Sequence, residues 1–129
     1  MKTAWKITLI FLKTFFYYLE SLIHPERILE LKQKWARMAL TDLGYEFSEE
    51  GVRPQSQEGL ILVGNHIGFM DIMVLMAVSP QITFLAKKEV KSWPLIGLIA
   101  KRVGTIFVDR SPSADRTHSR KEVADQIFQ

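Results

Sequence analysis

The sequence predicts an α/β fold: an N-terminal helical hairpin followed by a mostly parallel sheet with flanking helices. Three observations carry this expectation. Ala4 to Ile23 and Ile28 to Leu43 place apolar residues at helical spacing on either side of His24-Pro25-Glu26, which breaks the pattern. Short strand-like runs at Leu60–Val63, Gln81–Ala86 and Gly104–Val108 then alternate with helical stretches, the order of βαβ units and so of parallel strands. Between the two parts lies Glu49 to Gly59, a polar loop holding Gly51, Pro54 and Gly59. The chain therefore divides into residues 1–44, the hairpin, and 45–129, the α/β part.

The first helix is apolar and aromatic, with Trp5, Phe11, Phe15, Phe16, Tyr17 and Tyr18. Lys6, Lys13 and Glu20 interrupt it at every seventh residue, which keeps the charges on one side. A central Lys13 costs roughly 2.5–3.5 kcal/mol on insertion scales, so a spanning helix is not expected. A wide apolar face with a narrow charged stripe suits a helix lying in the membrane interface, and residues 4–23 are the expected contact with a membrane surface. The alternative is an ordinary helix packed on the domain's own core. Lys13 splits the apolar stretch and no small-residue cleavage site follows, so a signal peptide is not expected.

Pro25 is placed to start the second helix, whose stripe is Ile28, Leu31, Trp35, Met38 and Ala39. Glu30, Lys32, Lys34 and Arg37 fall largely outside it, and Gly44 suits the position just past the helix end. His24 reads as a helix-end residue without chemistry. Tyr45 to Ser48 alternates apolar and polar residues, as a short edge strand does. Leu60 to Val63 is continuously apolar, the pattern of a strand buried on both faces. A buried helix over Ile72–Val78 ends at Ser79-Pro80. Trp93-Pro94 breaks the chain before a helix over Leu95–Val103, and Ser111 to Gln129 reads as a last helix with Val123, Ile127 and Phe128 on its apolar face.

The 129 residues fit one domain, and 47% hydrophobic with 24% charged is an ordinary globular balance. The absence of cysteine removes disulfides and thiol nucleophiles. The formal charge of +3 hides an asymmetry: from Lys87 to Lys121 nine basic residues face three acidic ones, leaving the remainder of the chain negative. Such a segment suits phosphate, an anionic membrane or nucleic acid. No zinc spacing, recognition-helix pattern or aromatic RNA-binding block accompanies it, so no nucleic-acid partner is expected.

His66 and Asp71 stand between the continuously apolar run and the helix after it. On an unbroken helix their spacing would separate them by roughly 140°. If Gly68 lets the chain bend and the helix starts near Met70 or Asp71, the carboxylate can turn back onto the imidazole. An Asp on one ring nitrogen leaves the other free to deprotonate a hydroxyl. Equally, Asp71 can simply cap the helix, with His66 an idle turn residue.

The stretch N-H-I-G-F-M-D (Asn65 to Asp71) resembles the NHxxxxD signature of the glycerophospholipid acyltransferases. F-L-A-K-K-E-V-K-S-W-P-L-I-G (Phe84 to Gly97) is similar to that family's K-E-L…P…G stretch, with Val90 for the usual Leu. G-T-I-F-V-D-R (Gly104 to Arg110) is similar to its second block, G-x-I-F-I-D-R. The blocks stand in the family's order over Tyr45 to Arg110. The family's later Glu-Gly-Thr-Arg block and its proline-containing block do not occur before Gln129, so the resemblance implies the N-terminal part of an acyltransferase α/β domain.

The resemblance implies His66 as general base and Asp71 as the group orienting it. It implies Arg110, Lys87, Gly104 and Asn65 as substrate-binding residues, with Arg110 on the acceptor phosphate. Taken alone, Arg110 fits a structural pair with Asp109, and Lys87 and Lys88 fit a solvated pair. The implied reaction transfers a fatty acyl group from acyl-CoA or acyl carrier protein to a lysophospholipid such as 1-acyl-glycerol-3-phosphate. It needs no cofactor and no metal, since the thioester is already activated. The implied place is peripheral or monotopic, on the cytoplasmic face of the cell membrane. Alternatives are another acceptor (glycerol 3-phosphate or an acylated amino-acid lipid) and an inactive membrane-binding module. A serine hydrolase is not expected, because the sequence has no G-x-S-x-G elbow.

Overall fold

The computed structural model describes residues 2–52, 60–62, 64–65, 68–109, 121 and 123–125. Helix α1 runs Lys2–Ile23 and helix α2 runs Ile28–Leu43, joined by a 3₁₀ turn at Pro25–Arg27. Proline opens that turn because its missing N–H would have had no helical partner there. Gly44 closes α2 at φ 83°, with its N–H on the Thr41 carbonyl and the Tyr45 N–H on the Leu40 carbonyl. These two bonds make the left-handed helix stop that glycine adopts without strain, as the sequence predicts.

The polar stripe of α1 faces α2. Lys13 pairs with Asp42, Glu20 pairs with Arg27, and the Trp35 indole N–H donates to Thr14 Oγ1 at 2.8 Å. Thr14 and Ser21, one heptad apart, are buried, while Trp5, Phe11, Phe15, Phe16, Leu19 and Leu22 are exposed. Helix α1 is thus turned inside out relative to a water-facing helix: small polar side chains lie against protein and large apolar ones point away.

Helix α3, Phe69–Val78, packs its small and flexible residues against α2. Ala36, Ala39 and Leu40 meet Met73, Met76 and Ala77 in the main core, with Ile82 and Phe84 beside them. Ala36, Ala39 and Ala77 have no exposed surface, which lets the two helices approach closely. The Gln33 amide donates to the Ala77 carbonyl at 2.9 Å and Lys32 Nζ donates to the Ile82 carbonyl. Both bonds fasten α2 to the end of α3 and the turn after it, and the first satisfies a carbonyl that the helix end leaves open. Lys32 is therefore buried (4% exposed), contrary to its expected place outside the apolar stripe. It follows Ile28 by one turn, so it shares that residue's inward face.

Strands β1, Leu85–Lys87, and β2, Ile106–Val108, pair in parallel, with Leu85 opposite Ile106 and Lys87 opposite Val108. A 3₁₀ turn at Lys88–Ser92 and helix α4, Ile96–Arg102, cross between them. The parallel pair is as expected, but the βαβ unit is this one rather than one built on Leu60–Val63. Leu60, Ile61 and Leu62 form no strand and are exposed, and Val63 lies outside the described residues. An all-apolar run becomes a buried strand only with a ladder beside it and cover on both faces. Among the described residues the sheet is β1 and β2 alone. Tyr45 to Ser48 is likewise not a strand, because the helix-stop geometry at Gly44 delivers it to no partner strand. Of the expected last helix, residues 121 and 123–125 are helical.

The chain enters α4 through a strained turn. The Ile96 N–H reaches the Pro94 carbonyl at 2.6 Å across Leu95, which sits at φ 59° and ψ −51°. This is the rarer, positive-φ form of the three-residue turn, costing on the order of 1–3 kcal/mol. Next to it, a Cβ on Gly97 would lie 2.2 Å from the Lys91 carbonyl oxygen, so the proline and glycine of that motif have a shared cause. They fold residues 91–97 back on themselves.

Candidate active site

Asp71 is the third residue of α3, and its Oδ2 accepts the Gly68 N–H at 3.0 Å while the Asp71 N–H meets the Gly68 carbonyl at 3.2 Å. An acidic side chain there satisfies an otherwise open amide and faces the positive end of the helix dipole. Capping thus accounts for one of the two roles the sequence left open for Asp71. Gly68 is extended (φ −179°), a conformation any residue adopts, so the entry to α3 does not depend on glycine's freedom. His66 lies outside the described residues. Asn65 is exposed.

The carboxyl ends of β1 and β2 lie side by side because the strands are parallel and in register. Lys87 ends β1 and is exposed. Lys88 next to it reaches Asp109 across the strand ends at 3.5 Å, an open pair of modest worth. Arg110 follows Asp109 and lies outside the described residues. Gly104 has a backbone role: at φ 79° it stops α4, its N–H on the Lys101 carbonyl and the Thr105 N–H on the Ala100 carbonyl. A glycine two residues after Lys101-Arg102 is the sequence signal that could have found that stop.

Under α1 the structure holds a cavity of about 160 Å³ that sequence reading did not anticipate. Tyr17 and Tyr18 of α1, Trp35 of α2, Phe69 and Ile72 of α3 and Ile99 of α4 are among its walls. Phe69 and Ile72 flank Asp71 in the first turn of α3, so this apolar space lies beside the helix start that carries the motif. Two cations also border it. Lys32 lies 5.6 Å from the Phe84 ring centroid, and burial pushes its ammonium below the ordinary lysine range. Arg102 donates through Nη2 to the Ser21 carbonyl, tying the end of α4 to α1; its buried Nε–H has no acceptor among the described residues. The lining comes from four helices and the sheet, so no local periodicity could reveal it. Among the described residues no cluster of His, Asp and Glu is arranged to hold a metal ion.

The Acyltransferase family model matches residues 45–129. The chain belongs to the glycerophospholipid acyltransferase family. It is 35% identical over 90 residues to a 1-acyl-sn-glycerol-3-phosphate acyltransferase of Neisseria gonorrhoeae, covering 70% of this chain and 34% of that one. It is 41% identical over 69 residues to a lyso-ornithine lipid O-acyltransferase of Brucella abortus, covering 54% and 26%. A protein of that name from Pseudomonas aeruginosa is 34% identical over 97 residues, covering 75% and 36%. This acyltransferase chain thus spans about a third, or less, of the length of these curated relatives. No solved structure matches it. No helix among its described residues is long and apolar enough to cross a membrane.

Proposed function

We propose that this acyltransferase moves a fatty acyl group from a thioester to the hydroxyl of a lysophospholipid held at a membrane surface. The observation that carries the reading is the apolar cavity beside the first turn of α3, flanked by residues on either side of Asp71. So apolar a space accepts hydrocarbon without stranding polar groups, and its volume suits a segment of an acyl chain rather than the whole of one. In the reaction the acceptor oxygen attacks the thioester carbon, the C–S bond breaks and an ester C–O bond forms. His66 takes the hydroxyl proton and returns it to the departing thiolate, and Asp71 holds the imidazole's tautomer. A base of this kind contributes about 10²–10⁴-fold. Arg110, with Lys87 at the neighbouring strand end, holds the acceptor phosphate, because a guanidinium grips phosphate through two parallel bonds. Asn65 and Gly104 complete the acceptor side.

The outward apolar face of α1 supports a seat in the membrane interface. Lys13 pairs with Asp42 of α2 and Glu20 with Arg27 of the turn before it, so that face can enter lipid without carrying these two charges along. The donor is acyl-CoA or acyl carrier protein, and the place is the cytoplasmic face of the cell membrane. Several relatives named for lyso-ornithine lipid favour a second reading of the acceptor, an acylated amino-acid lipid.

The test is acyl transfer from a labelled thioester in lipid vesicles, comparing lysophosphatidate with lyso-ornithine lipid, for the chain, His66→Ala and Arg110→Ala. Loss of turnover in His66→Ala with vesicle binding intact is the expected result. Arg110→Ala should lose lysophosphatidate turnover selectively; equal loss with both acceptors would remove the phosphate role. No turnover from the unmodified chain with vesicle binding intact would leave a membrane-binding module.

A further inference from the structure

The strained turn at Leu95 and the close approach at Gly97 hold residues 91–97 folded back, with Trp93 at the bend. Trp93 is 56% exposed, and Leu98, in the first turn of α4, is 54% exposed. Lys91 and Lys101 beside them are exposed. Over residues 88–102 four basic residues stand against one acidic. Leu98 precedes Arg102 by one helical turn and shares its face of α4. Arg102 is bonded to the Ser21 carbonyl, so this face of α4 flanks the last turn of α1, where Leu22 and Ile23 are exposed.

From this placement we infer that Trp93 and Leu98, with Lys91 and Lys101, form a second membrane contact, seated among anionic lipid headgroups beside the apolar face of α1. The inference rests on the proposal that α1 lies in the interface. Tryptophan is favoured at the depth where apolar and wet regions meet, and lysine ammoniums reach from there to lipid phosphates. An acidic soluble partner would satisfy the lysines but leave the adjoining surface of Leu22, Ile23 and α1 uncovered, so the lipid surface is the better match. A single helix lying in the interface can roll about its axis. A second contact, tied to the first through Arg102, fixes the roll and with it the direction in which the carboxyl ends of β1 and β2 face.

The experiment measures binding of the 129-residue chain to phosphatidylcholine vesicles with and without phosphatidylglycerol, for the unmodified protein, Lys91→Gln/Lys101→Gln and Trp93→Phe. The lysine pair should weaken binding to the anionic vesicles by about 30-fold and leave binding to phosphatidylcholine unchanged. Brominated lipid should quench the emission that Trp93→Phe removes. Unquenched Trp93 emission on bound protein, or a lysine pair without effect on anionic vesicles, overturns the second contact while leaving α1 in place. Failure of the unmodified chain to bind either vesicle overturns both. A lysine pair that weakens binding to acidic acyl carrier protein but not to anionic vesicles would hand the surface to that partner and overturn the inference.

Discussion

Asp71 accepts the backbone N–H of Gly68 at 3.0 Å, so the carboxylate that the motif offers to chemistry also begins a helix. The two roles are separable. Asp71→Ala should lower the unfolding free energy by about 1 kcal/mol, the worth of a lost cap, whereas Asp71→Asn keeps an acceptor and loses less. If Asp71 also orients His66, both variants should lose at least about 10²-fold in acyl transfer at equal folded fraction. Denaturant titration beside turnover decides: a stability loss with unchanged turnover would make Asp71 a cap and nothing more.

Leu40 and Phe16 are both large and apolar, and opposite outcomes are expected on truncation. Leu40 is 1% exposed in the core between α2 and α3, so Leu40→Ala should cost about 2–5 kcal/mol. Phe16 is 59% exposed on α1, so Phe16→Ala should change stability in water by no more than about 0.5 kcal/mol. In vesicle binding the ranking reverses, since only Phe16 would enter lipid. A Phe16→Ala protein that binds vesicles as well as the parent would remove α1's outward face from the contact.

Gly97 and Gly68 make a second contrasting pair. A Cβ at Gly97 would stand 2.2 Å from a backbone oxygen, which cannot swing aside as a side chain can. Gly97→Ala should therefore destabilise by about 1–3 kcal/mol through displacement of the Lys91 backbone. Gly68 is extended and a Cβ there would meet nothing within 4 Å among the described residues, so Gly68→Ala should cost at most about 1 kcal/mol. Thermal unfolding of the two single variants compares them. Equal losses would mean that the fold at residues 91–97 gives way more readily than its geometry implies.

These contrasts also mark what a sequence can and cannot disclose. Helices α1 and α2, the break at His24-Pro25 and the stop at Gly44 were legible because each depends on neighbours within a turn. So were the parallel strands around α4, although β1 starts four residues and ends one residue later than expected and β2 starts two residues later. Leu60 to Leu62 misled because an apolar run records what a segment would tolerate, not whether a partner strand is there to pair with it. Lys32 was misplaced because its charge outweighed its position one turn after Ile28. The cavity beside α3 was invisible for a different reason: Tyr18, Trp35, Phe69 and Ile99 come together only through tertiary packing. The motif residues drew attention to Asp71 and left capping and orienting both open; the fold displays the cap.

At the acid end, stability should follow Glu30. Arg27 bonds it at 3.0 Å and Lys34 approaches from the next turn, and together they hold its carboxyl at about 2 against an ordinary 4.5. A depressed carboxylate binds fewer protons in the folded than in the unfolded chain. Its contribution is therefore complete above the ordinary value and disappears as pH falls from 4.5 towards 2. Because the cluster is open to solvent, the change should be small and should shrink in high salt. Glu30→Gln should flatten that part of the profile. A variant with the same acid slope as the parent would assign the slope to other carboxylates.

Lys32 should act at the other end of the scale and with the opposite origin. Its ammonium lies against the Phe84 ring and donates to the Ile82 carbonyl, and burial lowers its pKa from 10.5. Between that lowered value and 10.5 the unfolded chain binds more protons than the folded one. Stability should therefore rise with pH across that window and be held down below it, where the folded protein carries a buried charge. Lys32→Met fills the same space without the charge, so the alkaline rise should vanish from its profile. The lost bond leaves the Ile82 carbonyl unpaired, at about 1 kcal/mol, but that loss is the same at every pH and cannot mimic the slope. Denaturant titrations from pH 7 to about 11 separate the two effects. Parallel profiles for parent and variant would mean that Lys32 holds its proton as readily folded as unfolded, and that its carbonyl and ring contacts offset the burial.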